Sequence, residues 1–288
     1  MATGTNNAGK GGAGEEGRSG IADELLARIE GLTAGQQVDL SEHIAEFPEI
    51  ARGFSIPNAE LTLIPDRSVA SLEDGGSFEL VGFLTTPLDA GTEPAIQFKR
   101  HLKLGEQCAD HQWLKVAAPL RGMGLSSALL LRSFNLYREL GLRAVELDAA
   151  MEAGKWHWAR VGFEFMWPRQ AEAVRKWTFE VAEALKPEGL SLESLSTATQ
   201  FARMEARRGT SLAELATAFP AMTERLSKIA KENDLEFDEK IAFGRAVMLS
   251  GPGWEGKLDL DGPSYQQFKS YAEAKAEEAE RALSQISG

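Results

Sequence analysis

The feature that most constrains this sequence is an apolar strand that runs through a glycine turn into a long helix. The predicted strand is Trp113–Ala118, the turn reads RGMGLS over residues 121–126, and the helix continues to Leu140. Glycines let the chain bend and bring its backbone close to a ligand. The N–H groups of a first helical turn lack internal partners, and the helix dipole makes that end positive. The order therefore predicts a cradle for a phosphate or pyrophosphate group.

Two common nucleotide-binding motifs do not fit this turn. No Lys-Ser or Lys-Thr pair follows the glycines, so it is not a nucleoside-triphosphate P-loop. Ser127 occupies the third glycine position of the dinucleotide-binding motif, so that motif is incomplete as well.

The order of segments resembles the acyl-CoA-binding core of the GNAT superfamily of N-acetyltransferases. In that family a long strand meets a loop of the form Q/R-x-x-G-x-G/A, and here the frame PLRGMG over 119–124 supplies both glycines. Pro119 stands where the family has Gln or Arg. A second predicted strand, Leu142–Ala149, and the closing segment WARVGFEF, 158–165, follow in the family's order. The resemblance covers about residues 78–167.

The resemblance implies acetyl-CoA or CoA as the cofactor and divides the binding residues into two groups. Backbone groups of Val116 and Ala117 would support the pantetheine arm, in the space between the strand before the loop and the next strand. The amides of the turn would hold the pyrophosphate: Arg121, Gly122, Met123, Gly124, Leu125 and Ser126.

Two histidines are the candidate catalytic residues. His111 begins the strand that leads to the loop, and a histidine near its titration point at neutral pH can relay a proton. The alternative for His111 is a polar residue at a strand edge. His157 lies on the aromatic segment that faces the CoA sulfur in the family, where Trp158 replaces the tyrosine that often serves as acid. His157 or a water would take that role, or the thiolate leaves unassisted.

Cys108 carries two weaker hypotheses. Its spacing to His111 resembles half of a metal site, but the chain has a single cysteine and four histidines, so we expect no metal. A lone loop thiol could carry an acyl group, although it is more often incidental.

Composition excludes several classes of protein. A net charge of −12 argues against a general nucleic-acid binder, whose affinity depends on neutralising phosphates. The single cysteine argues against an internal disulfide and fits a reducing compartment. We found neither a run of eighteen apolar residues nor the apolar segment of a signal peptide. These features predict a cytoplasmic protein with no membrane segment.

The pattern along the chain predicts an α/β (α+β) fold in four parts. A mixed, mostly antiparallel sheet of the acyl-CoA N-acyltransferase type, with helices on both faces, is expected because short connections join successive strands before one parallel crossover. Residues 1–20 are expected to form a flexible glycine-rich tail, and residues 21–54 to form N-terminal helices, one of them at 38–47. Residues 55–168 would form the acyl-CoA-binding domain. Residues 169–288 would form a helical C-terminal region, with helices inside 192–249.

Three functions are compatible with these residues. The first is an acyl-CoA-dependent N-acyltransferase that acts on a small-molecule or protein amine. The second is a CoA-binding or structural module of a larger assembly, with protein contacts through the C-terminal helices. The third is a toxin or effector that acetylates aminoacyl-tRNA or a protein; the acidic balance disfavours it, while Arg203, Arg207 and Arg208 favour it.

Overall fold

One mixed sheet forms the centre of the protein. The structure is a computed structural model, and it describes residues 19–32, 37–87, 93–149, 152–185, 248 and 251–284. Within these residues the sheet has nine strands: β1 Gln37–Asp39, β2 Glu60–Leu63, β3 Val69–Ser71, β4 Ser77–Thr85, β5 Ile96–Lys103, β6 Cys108–Val116, β7 Ala144–Ala149, β8 Glu164–Phe165 and β9 Trp254–Asp259.

The strand order is β1-β3-β4-β5-β6-β7-β9-β8, and β2 pairs with the second half of β4. All neighbours are antiparallel except β6 and β7, which run parallel. A parallel pair needs a crossover, and a helix between the two strands supplies it. The expected antiparallel meander followed by one parallel crossover is therefore confirmed.

Seven α-helices accompany the sheet in the described residues. They are α1 Gly20–Leu32, α2 Leu40–His43, α3 Pro48–Gly53, α4 Leu125–Glu139, α5 Glu152–Arg160, α6 Pro168–Leu185 and α7 Pro263–Ser284. None of the helices in these ranges is both long and apolar enough to cross a membrane.

The main core lies between one face of the sheet and the helices α3, α4, α5 and α7. The residues of strand β5 alternate between buried and half-buried positions along its whole length, so one face of the sheet points into this core. Phe98 of β5 stacks on Phe54, which ends α3, with ring centroids 5.3 Å apart. Phe134 of α4 lies 4.3 Å from Phe268 of α7, centroid to centroid.

The C-terminal part of the chain completes this core. Strand β9 lies between β7 and β8, and α7 packs along α4. The expected helical region 169–288 is therefore wrong at residues 254–259, which form a strand of the central sheet. The helical expectation is confirmed at 168–185 and 263–284, the helices α6 and α7, and the α7 residues Tyr265, Phe268 and Ala272 are buried.

Two other expectations have different outcomes. The helix predicted over 38–47 is wrong at its start, because residues 37–39 pair with β3 and only short helical turns follow. The Asp39 carboxylate accepts the Ser41 N–H at 2.8 Å, which caps the first of those turns. The tail 1–18 and the helices predicted inside 192–249 lie outside the described residues, apart from Met248.

Candidate functional site

The glycine turn forms where the sequence predicts it. A short 3-10 turn, Ala118–Leu120, leads into Gly122 and Gly124, whose φ angles are +86° and +83°. Side chains rarely adopt this left-handed conformation, so both positions favour glycine. Gly124 caps α4, which begins at Leu125.

Most amides of the turn lack a strong hydrogen bond, although Gly124 and Leu125 are themselves buried. The N–H groups of Arg121 and Met123 make long bonds inside the turn, 3.4 Å each, to Ala118 and Leu120. Within the described residues no acceptor faces four other N–H groups, which belong to Gly122, Gly124, Leu125 and Ser126. They are the unpaired donors of a helix start, as the sequence predicts.

Strands β6 and β7 part immediately beside this turn. Strand β6 pairs with β5 as far as Val116, but it pairs with β7 only from Cys108 to His111. The register between β5 and β6 shifts at this point, which leaves Gln112 as the extra residue of a β-bulge. Beyond His111 the two parallel strands are unpaired, and we call the space between residues 112–116 and 148–149 the gap.

Val116 presents its backbone to the gap. The Ala117 N–H donates to the Ala95 carbonyl at 3.0 Å, so the next residue back, Val116, belongs to a non-bonded pair of the antiparallel ladder. Its N–H and C=O therefore point away from β5. The exposed Arg121 side chain donates its Nε–H to the Val116 carbonyl at 3.2 Å. The Val116 N–H is left for a ligand, whereas the Ala117 N–H is already used.

Helix α7 closes one side of the turn. A Cβ at Gly124 would collide with the backbone carbonyl of Lys275, and a Cβ at Gly162 would lie 2.7 Å from that of Ser264. Nothing lies within 4 Å of a Cβ at Gly122, so that side is open. Gly124 and Gly162 therefore admit the backbone of α7, and Gly122 is the glycine that faces outward.

His111 lies in the core and not at a strand edge. Its side chain is 3% exposed, and its Nε2 is 3.0 Å from the hydroxyl of Tyr137 on α4. Burial and the charge of Arg100 hold its pKa well below the usual value. The expectation of a histidine near its titration point at neutral pH is therefore wrong for His111.

Arg100 and Tyr137 complete a buried polar cluster that sequence reasoning missed. Arg100 is 1% exposed, and its Nη1 donates to the carbonyls of Lys99 at 2.7 Å and Trp113 at 2.5 Å. It thus satisfies carbonyls at the bulge. Burial lowers its pKa to about 10, so it stays charged. One signal was visible in the sequence: Arg100 occupies an inward position of a strand whose other inward residues are apolar.

His157 lies against the Trp158 ring, 4.9 Å from it between centroids. Burial and Arg160 lower its pKa to about 4. The Trp158 ring also lies 6.3 Å from His111, so the two candidate histidines flank one indole. Both histidines are therefore neutral imidazoles at neutral pH.

Acidification should destabilise the protein because His111 and His157 are neutral when folded. Below a pH of about 6.5 the unfolded chain binds more protons than the folded one, so the stability falls as the pH drops toward 4. We expect a loss of roughly 1–2 kcal/mol at pH 5 from His157, and a further loss from His111. Urea unfolding at pH 7, 6 and 5 measures it, and His157→Gln should flatten the dependence. Equal midpoints at all three pH values would contradict these assignments.

Cys108 is unsuited to nucleophilic chemistry. It is 7% exposed at the start of β6, and burial and the nearby Glu146 raise its pKa to about 12. The reactive thiolate is therefore absent at neutral pH. In the ranges that the structure describes, no three metal-ligating side chains lie together.

The second face of the sheet carries two adjoining cavities, of about 320 and 230 Å³, which share Val69 and Glu79. The larger contains His101, whose pKa is lowered by burial and by Lys103. The smaller contains Trp113, which is 39% exposed.

Carboxylates dominate the larger cavity, where Glu73, Asp74, Glu79 and Glu106 outnumber Lys103. The larger cavity therefore favours cationic ligands, although Glu79 and Glu106 are paired with Lys99 and Lys103.

Comparison of the chain with models of known protein families, with curated proteins and with solved structures gave no match.

Proposed function

We propose that the protein is an acyl-CoA-dependent N-acyltransferase that uses acetyl-CoA or a related thioester and acts on an amine. The observation that carries the proposal is the combination of a helix-start turn rich in unpaired amides with a gap between two parallel strands. Each feature would hold one part of an acyl-CoA. Their adjacency suits a ligand that joins a pyrophosphate to an extended amide arm.

The turn supports pyrophosphate binding. Four N–H groups, those of Gly122, Gly124, Leu125 and Ser126, have no acceptor among the described residues, and they lie at the positive end of α4. Gly122 is open to solvent, and Ser126 is half-buried at the rim. The exposed Arg121 guanidinium adds a positive charge beside them, and its planar shape suits oxyanions.

The gap supports the pantetheine arm. An extended arm with amide groups can pair with a free strand edge as another strand would. The edge of β6 from Gln112 to Val116 is unpaired on the side of β7, and the Val116 N–H points into it. The sheet order β6-β7-β9-β8 is also compatible with an acyl-CoA N-acyltransferase type of sheet.

The acceptor would approach from the second face of the sheet. A protonated amine is attracted to the acidic larger cavity, where His101 is a neutral base at pH 7. After deprotonation, the amine nitrogen attacks the thioester carbonyl carbon. The carbon–sulfur bond then breaks, and CoA leaves as a thiol after taking up a proton.

A second candidate is a CoA-binding module without turnover. The observation in its favour is Trp158, which lies between His111 and His157 and has no O–H group to protonate a leaving thiolate. Binding of acetyl-CoA without acetylation of any amine in a broad panel would favour this module over the enzyme.

Ser126→Glu should weaken acetyl-CoA binding about tenfold or more. A carboxylate in the first turn of α4 suits the helix dipole, so folding is retained, but it repels a bound diphosphate. Calorimetry with acetyl-CoA measures the effect. Gln266→Glu adds the same charge at an exposed position of α7 and should leave the affinity unchanged. Equal affinity of both variants would contradict the pyrophosphate site.

A further inference from the structure

The strongest unexplained feature of the molecule is its buried cluster of Arg100, His111 and Tyr137. His111 is the last residue of β6 that pairs with β7, and Arg100 is its cross-strand partner on β5. The cluster therefore lies where the gap begins. Two of its polar atoms, Arg100 Nη2 and His111 Nδ1, are buried and have no partner among the described residues. A buried polar group without a partner lowers stability, so these two atoms call for an explanation.

The contact between His111 Nε2 and the Tyr137 hydroxyl is compatible with either tautomer of His111, and the charges around it favour one of them. The phenol has a raised pKa because it is buried, so it keeps its proton. The positive charge of Arg100 acts on the Tyr137 oxygen and also favours a neutral His111. The phenol oxygen therefore directs its lone pairs toward the cation and its O–H toward His111 Nε2, 3.0 Å away. A neutral imidazole has one N–H, so the proton is on Nδ1.

Nδ1 is then a buried donor without a partner among the described residues, on the last residue of β6 that pairs with β7. Trp158 of α5 packs 6.3 Å away between ring centroids, and Phe134 of α4 lies 5.5 Å away. Ser133 of α4 adds a hydroxyl beside Tyr137, while the other two rings that pack on His111 are largely hydrocarbon. In surroundings of low polarity a fixed hydrogen-bond donor stabilises its acceptor more strongly than it does in water.

We propose that His111, held as its Nδ1–H tautomer by Tyr137, is the hydrogen-bond donor for the carbonyl oxygen of the acyl group in the gap. The proposal rests on the proposed function, because it needs an acyl thioester between β6 and β7. It replaces a role for His111 as a base with a role as a neutral donor. Arg100 supports this role by its charge and by fixing the bulge beside His111.

The tautomer is tested without any ligand. Long-range ¹H–¹⁵N spectra of the full-length ¹⁵N-labelled protein at pH 7.5 should show His111 as the neutral Nδ1–H form. Tyr137→Phe removes the hydroxyl that fixes this form and should shift His111 toward Nε2–H. Tyr265→Phe is the matched control, because Tyr265 is also buried and also uses its hydroxyl, with Asn135 at 3.1 Å. An Nε2–H form in the unmodified protein would overturn the proposal.

The role of the donor is tested by comparing acetyl-CoA with CoA, which lacks the carbonyl. Calorimetry should show tighter binding of acetyl-CoA, and Tyr137→Phe should reduce that preference about tenfold while CoA affinity stays unchanged. Tyr265→Phe should keep the preference. If CoA binds and Tyr137→Phe keeps the full preference for acetyl-CoA over CoA, the donor role of His111 is overturned and the proposed function stands. If neither ligand binds, the proposed function fails and the carbonyl assignment fails with it.

Discussion

Gly124→Ala should destabilise the protein by about 2–5 kcal/mol, whereas Gly122→Ala should cost only about 1–2 kcal/mol. Both residues have φ near +85°, and an alanine in that conformation costs about 1–2 kcal/mol. The additional loss at Gly124 comes from the collision of its Cβ with the Lys275 carbonyl of α7, a form of overpacking that costs about 1–3 kcal/mol.

The two alanine variants form a matched pair, since backbone strain is common to both and only one meets α7. Denaturant unfolding of the full-length protein gives the difference directly. Equal losses would mean that α7 does not pack against the start of α4. The same contact makes Gly124 a poor position for testing ligand binding, because any side chain there displaces a helix as well as a ligand.

Phe268→Ala should destabilise the protein by about 3–5 kcal/mol, the usual cost of removing a large buried aromatic side chain. Phe268 is fully buried on α7. Its ring lies 4.3 Å from Phe134 and 6.1 Å from Tyr265, between centroids. The variant would leave a cavity between α7 and α4. Helix α4 begins at the glycine turn, so the cavity would loosen the packing of the helix that follows the turn.

Urea unfolding followed by both fluorescence and circular dichroism measures this effect. The exposed neighbour Gln267→Ala is the control, and it should change the stability by less than about 0.5 kcal/mol. We expect the two probes to report one transition, because α7 and β9 belong to the central core. A small loss at Phe268, or a separate transition for α7, would show an appended helix instead.

Local signals in the sequence predicted the turn and the strands around it. Gly122 and Gly124 require positive φ, and the apolar period of the following helix continues from them, so neighbouring residues alone define this unit. The parallel crossover follows in the same way from the length of α4. The strand β5, Ile96–Lys103, carries a comparable local signal, because its buried and half-buried residues alternate.

The missed features depend on residues far apart in the chain. Strand β9 pairs with β7, more than a hundred residues earlier, and a short alternating segment does not reveal its partner. The contact of Lys275 with Gly124 is equally remote in sequence. His111 is a neutral core residue and not the base that the sequence suggested, because it is buried. Its burial depends on the packing of α4, α5 and α7 together, which local sequence does not reveal.

The structure also separates the proposed site into parts with distinct chemistry. Amides at the start of α4 would bind an anion, the edge of β6 would bind an extended arm, and the second face would attract a cation. The His111–Tyr137 pair lies where the gap begins. Each part can be altered alone, by Ser126→Glu at the turn or by Tyr137→Phe at the cluster.

Amide chemical-shift mapping with CoA tests the central claim most directly, because it shows which backbone groups meet the ligand. In the full-length ¹⁵N-labelled protein, saturating CoA should shift the amides of Gly122, Gly124, Leu125 and Ser126 together with that of Val116. Inorganic pyrophosphate should shift the turn amides and leave Val116 in place. Amide shifts confined to the second face of the sheet, or no amide shifts with either ligand, would contradict a CoA site at the turn and the gap.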